Sequence, residues 1–291
     1  MKAMTIQNLH LRADVRALGA ELTRFGTVGG LEFLWDGNPA VWPRTSPVLF
    51  PVVGRCREDR IRTGGRDYPM ARHGFVRDRR FDLLLASRES CTYRLRWDEE
   101  TTSAYPFPFE LRVTHTLEDW TLRVTTEVVN PGEAPLPFFL GAHPAFRWPI
   151  CPHAAREAHR LQFEHLEAAP VRRLSPEGLL QLEPQSSPVV GTTLALHDGL
   201  FEGDALIFDQ LTSRAVRLEA PGCPVLQIDW AGYRELGLWS KPGAGFLCIE
   251  PWLGMASRVD EACALEERPG VGVLAPGQER AFHWSVTVLG Q

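Results

Sequence analysis

Apolar and polar residues alternate with a period of two over long stretches of this chain. Between residues 109 and 117, Phe109, Leu111, Val113, His115 and Leu117 share one face, while Glu110, Arg112, Thr114 and Thr116 take the other. After Glu118-Asp119 the pattern resumes with Trp120, Leu122, Val124, Thr126 and Val128, and Asn130-Pro131-Gly132 ends it. Successive side chains of a strand point to opposite faces, so this pattern reads as an antiparallel hairpin with one buried face. The same period runs through Cys91, Tyr93, Leu95 and Trp97, and through Phe282, Trp284, Val286 and Val288. Helical periodicity is weak, with short helices expected near 153–167 and 258–267. The 25 glycines and 23 prolines are spread along the whole chain and divide it into short segments. A large antiparallel all-β sandwich or barrel follows, in preference to alternating βαβ units. The 291 residues are read as one domain, 1–291, with the Pro- and charge-rich stretch 149–190 as an excursion within it.

Composition narrows the function classes. Lys and Arg number 31 against 36 Asp and Glu, a net charge of -5. A nucleic-acid surface needs a basic excess, so nucleic acid is not the expected partner. No stretch approaches the roughly 18 consecutive apolar residues of a membrane span. The first residues carry Asp14 and Arg12 where a signal peptide needs an apolar run, and a soluble cytoplasmic protein is expected. Cys56, Cys91, Cys151, Cys223, Cys248 and Cys263 include no CxxC pair, which argues against a zinc ribbon or a thioredoxin site. A disulfide scaffold is not expected in a long chain without an export signal. No HxH, HExxH or HxxxH lies on a convincing element, so no catalytic metal or cofactor is expected. Gly270-Val271-Gly272 lacks the full dinucleotide fingerprint and reads as turns.

Three segments place polar residues among apolar ones. One is 45–78, where an apolar strand ends at Gly54-Arg55 and His73-Gly74-Phe75 follows. The second is 140–146, around His143, and the third is 246–252, around Glu250. His143 and Glu250 each stand directly before proline, at the expected end of an apolar strand. Proline biases the residue before it towards extended backbone and interrupts a ladder, which would hold both side chains at a sheet rim. Glu250 shares the parity of Phe246 and Cys248, so it should face an apolar environment. A carboxylate so placed has a raised pKa and suits a base near neutral pH. His115, on the apolar face of the hairpin, reads as a core histidine. Arg57, Arg60 and Arg62 read as a solvated hairpin face, whereas Arg55 adjoins the apolar strand.

Together these pieces resemble the aldose 1-epimerase (mutarotase) family, in its branch of LacX-like and hexose-6-phosphate 1-epimerase-like proteins. The matching segments are Ser46 to Arg55 (SPVLFPVVGR), Met70 to Asp78 (MARHGFVRD), Gly141 to Phe146 (GAHPAF) and Cys248 to Gly254 (CIEPWLG). Their order and spacing agree with the family over nearly the whole chain. The resemblance implies a large β-sandwich of the galactose mutarotase type, a supersandwich with few short helices. It also implies interconversion of the α and β anomers of a hexose, without cofactor. Glu250 matches the family's catalytic base and His143 its catalytic acid. His73 matches a second histidine that holds the sugar, Arg55 an arginine of the cleft, and Asp204 an aspartate that binds sugar hydroxyls. Phe50, Phe75 and Trp252, near the motifs, are candidates to stack on the sugar. Galactose mutarotases carry a glutamine on a strand before the glutamate. The stretch Glu235 to Trp239 has none, a departure that leaves galactose specificity unsupported.

The expected partner is therefore a small sugar, bound by a monomer or a homodimer. A neutral aldose is favoured over a hexose 6-phosphate. Arg55 and Arg77 are the candidate phosphate contacts, with Arg72 expected to point the other way if its segment is extended. Two further classes stay open: a non-catalytic carbohydrate-binding sandwich, and a glycoside hydrolase using Glu250 with Asp204.

Overall fold

The alternating segments assemble into a nine-stranded antiparallel sheet in the computed structural model, which describes residues 3–290. The outermost residues of the expected domain, 1–2 and 291, lie outside the described residues. The sheet runs in the order Thr193–Ala195, Arg160–Phe163, Ala215–Glu219, Val225–Ala231, Glu279–Leu289, Thr121–Val129, Glu110–Glu118, Ser90–Arg96, Asp82–Ala86. Leu111, Val113, His115 and Leu117 are buried on one face, as are Leu122, Val124, Thr126 and Val128 opposite them in register. Trp120 lies just before the strand and is only partly buried against the same core. It sits in the tight turn after Asp119, whose φ is +47°, and stacks on His10 with ring centroids 4.4 Å apart. The stripe on Ser90–Arg96 ends at Leu95, because Trp97 lies beyond the strand and is 46% exposed.

A second, six-stranded sheet carries the polar segments. Its order is Leu206–Phe208, Glu235–Trp239, Phe246–Leu253, Leu140–Ala142, Val48–Leu49, and Ala145–Arg147 also pairs with Phe246–Leu253. All eight residues of Phe246–Leu253 are buried, so this strand is covered on both faces. Apolar residues of both sheets and of a three-stranded N-terminal sheet, Met4–Gln7, Leu11–Arg16 and Glu21–Thr27, form one continuous core. The architecture is the expected antiparallel β-sandwich.

Helix is scarce but not where it was expected. The α-helix found is Glu99–Ala104. Asp98 caps it: its side chain accepts from the Thr101 N–H at 2.8 Å, and its own N–H donates to the Thr101 hydroxyl at 2.8 Å. In the stretch 153–167 only a 3-10 turn forms, Arg156–Ala158, because residues 160–163 pair with Ala215–Glu219 instead. Strand pairing there overrides a weak local preference. The stretch 258–267 likewise yields only the 3-10 turn Leu265–Glu267. Cys151 and Cys223 are joined by a disulfide, a single bridge that the cysteine pattern did not single out. Among the described residues no helix is long and apolar enough to cross a membrane.

Candidate active site

His143 and Glu250, read from the sequence as two separate strand ends, are cross-strand neighbours. Leu140 and Gly141 pair with Leu253 and Trp252, and Ala145 and Phe146 pair with Cys248 and Leu247. The same register holds on both sides of the break at His143-Pro144, and it sets His143 opposite Glu250. Directly opposed side chains in an antiparallel pair meet, and His143 Nε2 lies 3.2 Å from Glu250 Oε2. Glu250 does not end its strand. Pro251 continues the ladder beside Leu236, and its missing N–H falls where the other neighbour is interrupted.

Both side chains line a cavity of about 150 Å³, with His73, Asp204, Arg72, Arg77, Trp42, Trp239 and Trp252 among its walls. His73 is fixed by its own backbone. Its φ is +67°, its N–H donates to the Gly54 carbonyl at 2.8 Å, and its Nδ1 accepts from the Gly54 N–H at 3.1 Å. Because Nδ1 accepts, a neutral His73 carries its proton on Nε2. The His73 ring stands edge-on to His143 at 5.6 Å, and the Trp42 ring stacks on His143 at 5.0 Å. Asp204, with φ of +65°, turns its carboxylate back to the Ala205 N–H at 2.8 Å. Gly237 is paired with Glu250, and a Cβ there would lie 2.4 Å from the Trp252 ring. The Glu235 to Trp239 stretch that lacks a glutamine thus gives its cavity-side space to the Trp252 indole.

Burial dominates the electrostatics. It pushes the Glu250 carboxyl well above the ordinary carboxylate value. The negative charge of Asp204 adds to the shift, and the nearby Trp252 N–H opposes it. Burial pushes His143 down, with the charge of Arg77 acting the same way. His73 is lowered for the same reason, then by His143 and the two nearby arginines. The pair therefore favours a protonated Glu250 beside a neutral His143. Glu250 Oε2 is buried and makes no hydrogen bond within the described residues. A buried ionisable pair in a concave site is a functional candidate.

The remaining sequence candidates divide. Asp204, Arg77 and Trp252 line the cavity. Phe50 does not. It is fully buried in the core against Tyr105, Phe109 and Phe138, because its strand packs inward before the chain reaches the cavity. Phe75 packs against Tyr105 and Phe109 and is also absent from the cavity walls. The Arg55 guanidinium turns to Asp59, at 2.6–2.7 Å, and to the Glu177 carbonyl at 2.8 Å, rather than into the cavity. Arg72 lines the cavity together with His73, against expectation, because residues 71–74 form a turn and not a strand. Trp42 and Trp239 were missed. Trp239 ends a short apolar strand and Trp42 lies in an irregular stretch, so nothing local in the sequence marks either. A second concavity, lined by Arg57, Arg60, Arg62 and Arg268, is occupied by its own ion pairs with Glu58, Asp67 and Glu261.

Among the described residues, two groups of potential metal-ligating side chains have their donor atoms close together. One is His143, Cys248 and Glu250, whose donor atoms lie within 4.8 Å of one another. Burial pushes the Cys248 thiol well up, which opposes its use as a thiolate ligand. The other is Cys151, His153 and Cys223, outside the cavity.

The chain matches the family model described as aldose 1-epimerase over residues 2–286. It is 33% identical to the chromosomal protein LacX of Lactococcus lactis subsp. lactis, over 98% of this chain and 100% of that protein. A galactose mutarotase related enzyme from Lactobacillus acidophilus superposes with a TM-score of 0.91 at 31% identity, over 99% of this chain and 97% of the other. A galactose mutarotase-like protein from Lactobacillus casei superposes equally well, TM-score 0.91 at 28% identity, over 98% and 99% of the two chains.

Proposed function

The chain belongs to the aldose 1-epimerase family, and on that premise we propose that it interconverts the α and β anomers of a neutral aldose by acid–base ring opening and closure. The observation that carries this reading is the buried cross-strand pair, His143 Nε2 3.2 Å from Glu250 Oε2. Anomerisation takes a proton from the O1 hydroxyl and delivers one to the ring oxygen O5. Both oxygens are bonded to C1, so the acid and the base must reach adjacent points, and adjacent side chains suit this better than groups on opposite sides of the ring.

The proton balance closes within the pair. A protonated Glu250 beside a neutral His143 carries the same single proton as a carboxylate beside an imidazolium. Substrate draws the pair into the charged form. Glu250 then accepts the O1 proton while His143 gives its proton to O5. The C1–O5 bond breaks, C1=O1 forms, and the pair returns to the neutral arrangement that burial favours. Rotation about C1–C2 and the reverse transfers close the ring on the other face. Positioned general acids and bases each supply about 10²–10⁴-fold. His73, with Nε2–H available, and Asp204 are placed to hold sugar hydroxyls, and Trp42, Trp239 and Trp252 offer apolar faces to the ring.

A neutral sugar is preferred because Arg77 is already engaged and Asp204 opposes a dianion. Arg77 donates to the Arg72 carbonyl at 2.7 Å and faces Asp78 at 3.7 Å. A hexose 6-phosphate is the second reading, favoured by the presence of Arg72 in the cavity wall. Polarimetry on fresh α-glucose, α-galactose and glucose 6-phosphate, with a disaccharide cleavage assay beside it, tests the assignment. Accelerated mutarotation without cleavage supports it. Cleavage, or sugar binding with no acceleration of any aldose, defeats it.

A further inference from the structure

Cys151, His153 and Cys223 have no part in the proposed reaction, and none of them lines the His143–Glu250 cavity. Cys151 and His153 belong to the irregular segment after Trp148, and Cys223 belongs to the turn between Ala215–Glu219 and Val225–Ala231. We propose that, once the Cys151–Cys223 disulfide is reduced, these three side chains bind one thiophilic divalent cation of the Zn²⁺ class, with water in the fourth position.

The spacing supports a single ion. His153 Nε2 lies 3.8 Å from Cys151 Sγ, and the donor atoms of all three residues lie within 4.8 Å of one another. Zn–S and Zn–N bonds of about 2.3 and 2.05 Å at a tetrahedral angle place sulfur and nitrogen about 3.6 Å apart. Two thiolates on one such ion sit about 3.8 Å apart, so the sulfurs must separate by roughly 1.7 Å from disulfide contact. Both cysteines lie in irregular backbone, where that adjustment disturbs no ladder. His153 is already turned towards the pair, its Nε2 3.2 Å from the Gly222 carbonyl, a contact that would be exchanged for the metal bond. The segment is also held independently of the disulfide. Arg156 donates to the Trp148 carbonyl at 2.8 Å and pairs with Asp198 at 2.7 Å. These contacts hold the Cys151 and His153 side, and the pairing of Ala215–Glu219 with Val225–Ala231 holds the turn that bears Cys223, so neither side depends on the disulfide alone.

The chemistry balances. A dithiol reductant supplies two electrons and two protons, which turns the disulfide into two thiols while the reductant closes to its own disulfide. Ion binding then releases the two thiol protons. With the disulfide closed the site offers no thiolate, so its occupancy follows redox state.

The test uses the full chain, reduced with a dithiol, desalted without oxygen and titrated with Co²⁺ as a spectroscopic stand-in. One equivalent with thiolate-to-cobalt charge-transfer absorption, displaced by Zn²⁺, is expected. It should vanish in Cys151→Ser, in Cys223→Ser and in diamide-oxidised wild type, a control that requires no substitution. Losing even an outer-shell partner of a metal costs about 10–100-fold in affinity, so His153→Ala should weaken binding by about tenfold or more. Any of four outcomes overturns the proposal. They are no thiolate absorption when mass spectrometry shows both thiols free, binding that survives either serine substitution, binding as tight in His153→Ala as in the parent, and binding lost in Cys248→Ser instead. The last would place the ion at the catalytic pair. Mutarotation is not the readout, so this test and that of the enzyme activity fail separately.

Discussion

Acidification from about pH 7.5 to about pH 5 should not lower kcat/KM for ring opening. The active free enzyme carries one proton on the His143–Glu250 pair. A second proton, on His143, removes the empty base, and loss of the only proton removes the acid. An ordinary imidazole, near 6.5, would be about 97% protonated at pH 5 and would cost about 30-fold in active fraction. His143 is held below that value chiefly by burial, so the second proton enters only at lower pH and the acid limb moves down. Burial raises Glu250, so its proton is retained further up the scale and the alkaline limb moves up. The profile should be a broad plateau rather than a narrow bell. The assay is polarimetric initial rates over this range, corrected for solvent- and buffer-catalysed mutarotation, with the fold followed by circular dichroism. Half-maximal kcat/KM near pH 6.5 and a roughly 30-fold loss at pH 5, with the fold intact, would refute the buried-pair argument.

His115, pushed down to about 3 by burial, stays neutral in the folded protein, whereas the unfolded chain protonates it below about 6.5. Its contribution therefore falls as pH drops through 6.5 towards 3. Urea titrations should show about 2 kcal/mol less stability at pH 5 than at pH 8 in wild type relative to His115→Leu, and equal pH slopes would contradict it. Gly237→Ala puts a Cβ 2.4 Å from the Trp252 ring. It should cost about 1–3 kcal/mol by denaturant midpoint and raise KM, and an unchanged KM would show that Trp252 does not shape the sugar site. Arg72→Ala and Arg77→Ala should keep the wild-type preference for glucose over glucose 6-phosphate. A wild-type preference for the phosphate that either variant loses by about tenfold or more would assign the charged substrate.

The sheet faces were legible because each buried stripe keeps a period of two along its strand, as Leu111 to Leu117 and Phe282 to Val288 do. The edges of that pattern were not. Trp97 extends the alternation in sequence but lies past the strand end and is exposed, while Trp120, in the turn, is only partly buried against the core. The catalytic candidates could be picked singly from His143-Pro144 and Glu250-Pro251. That they face each other is a fact of register between segments about a hundred residues apart, which no local pattern encodes. Phe50 lies in a motif, but packing against Tyr105, Phe109 and Phe138 puts it in the core, and the inclusion of Arg72 has another origin. Strand parity was extended across residues 71–74, where a turn and a left-handed His73 reset it. Trp42 carries no periodicity at all and reaches His143 only through tertiary packing.

The most direct test is the rate of α–β exchange at equilibrium, measured by magnetisation transfer between the anomeric protons of the best aldose with wild type, Glu250→Gln and His143→Asn. Each substitution keeps the approximate shape of its side chain and removes one proton-transfer role. Both variants should fold as wild type does and lose about 10²-fold or more in kcat, with chelator leaving the wild-type rate unchanged. Exchange at near wild-type rate in either folded variant would mean that the His143–Glu250 pair is not what opens the ring.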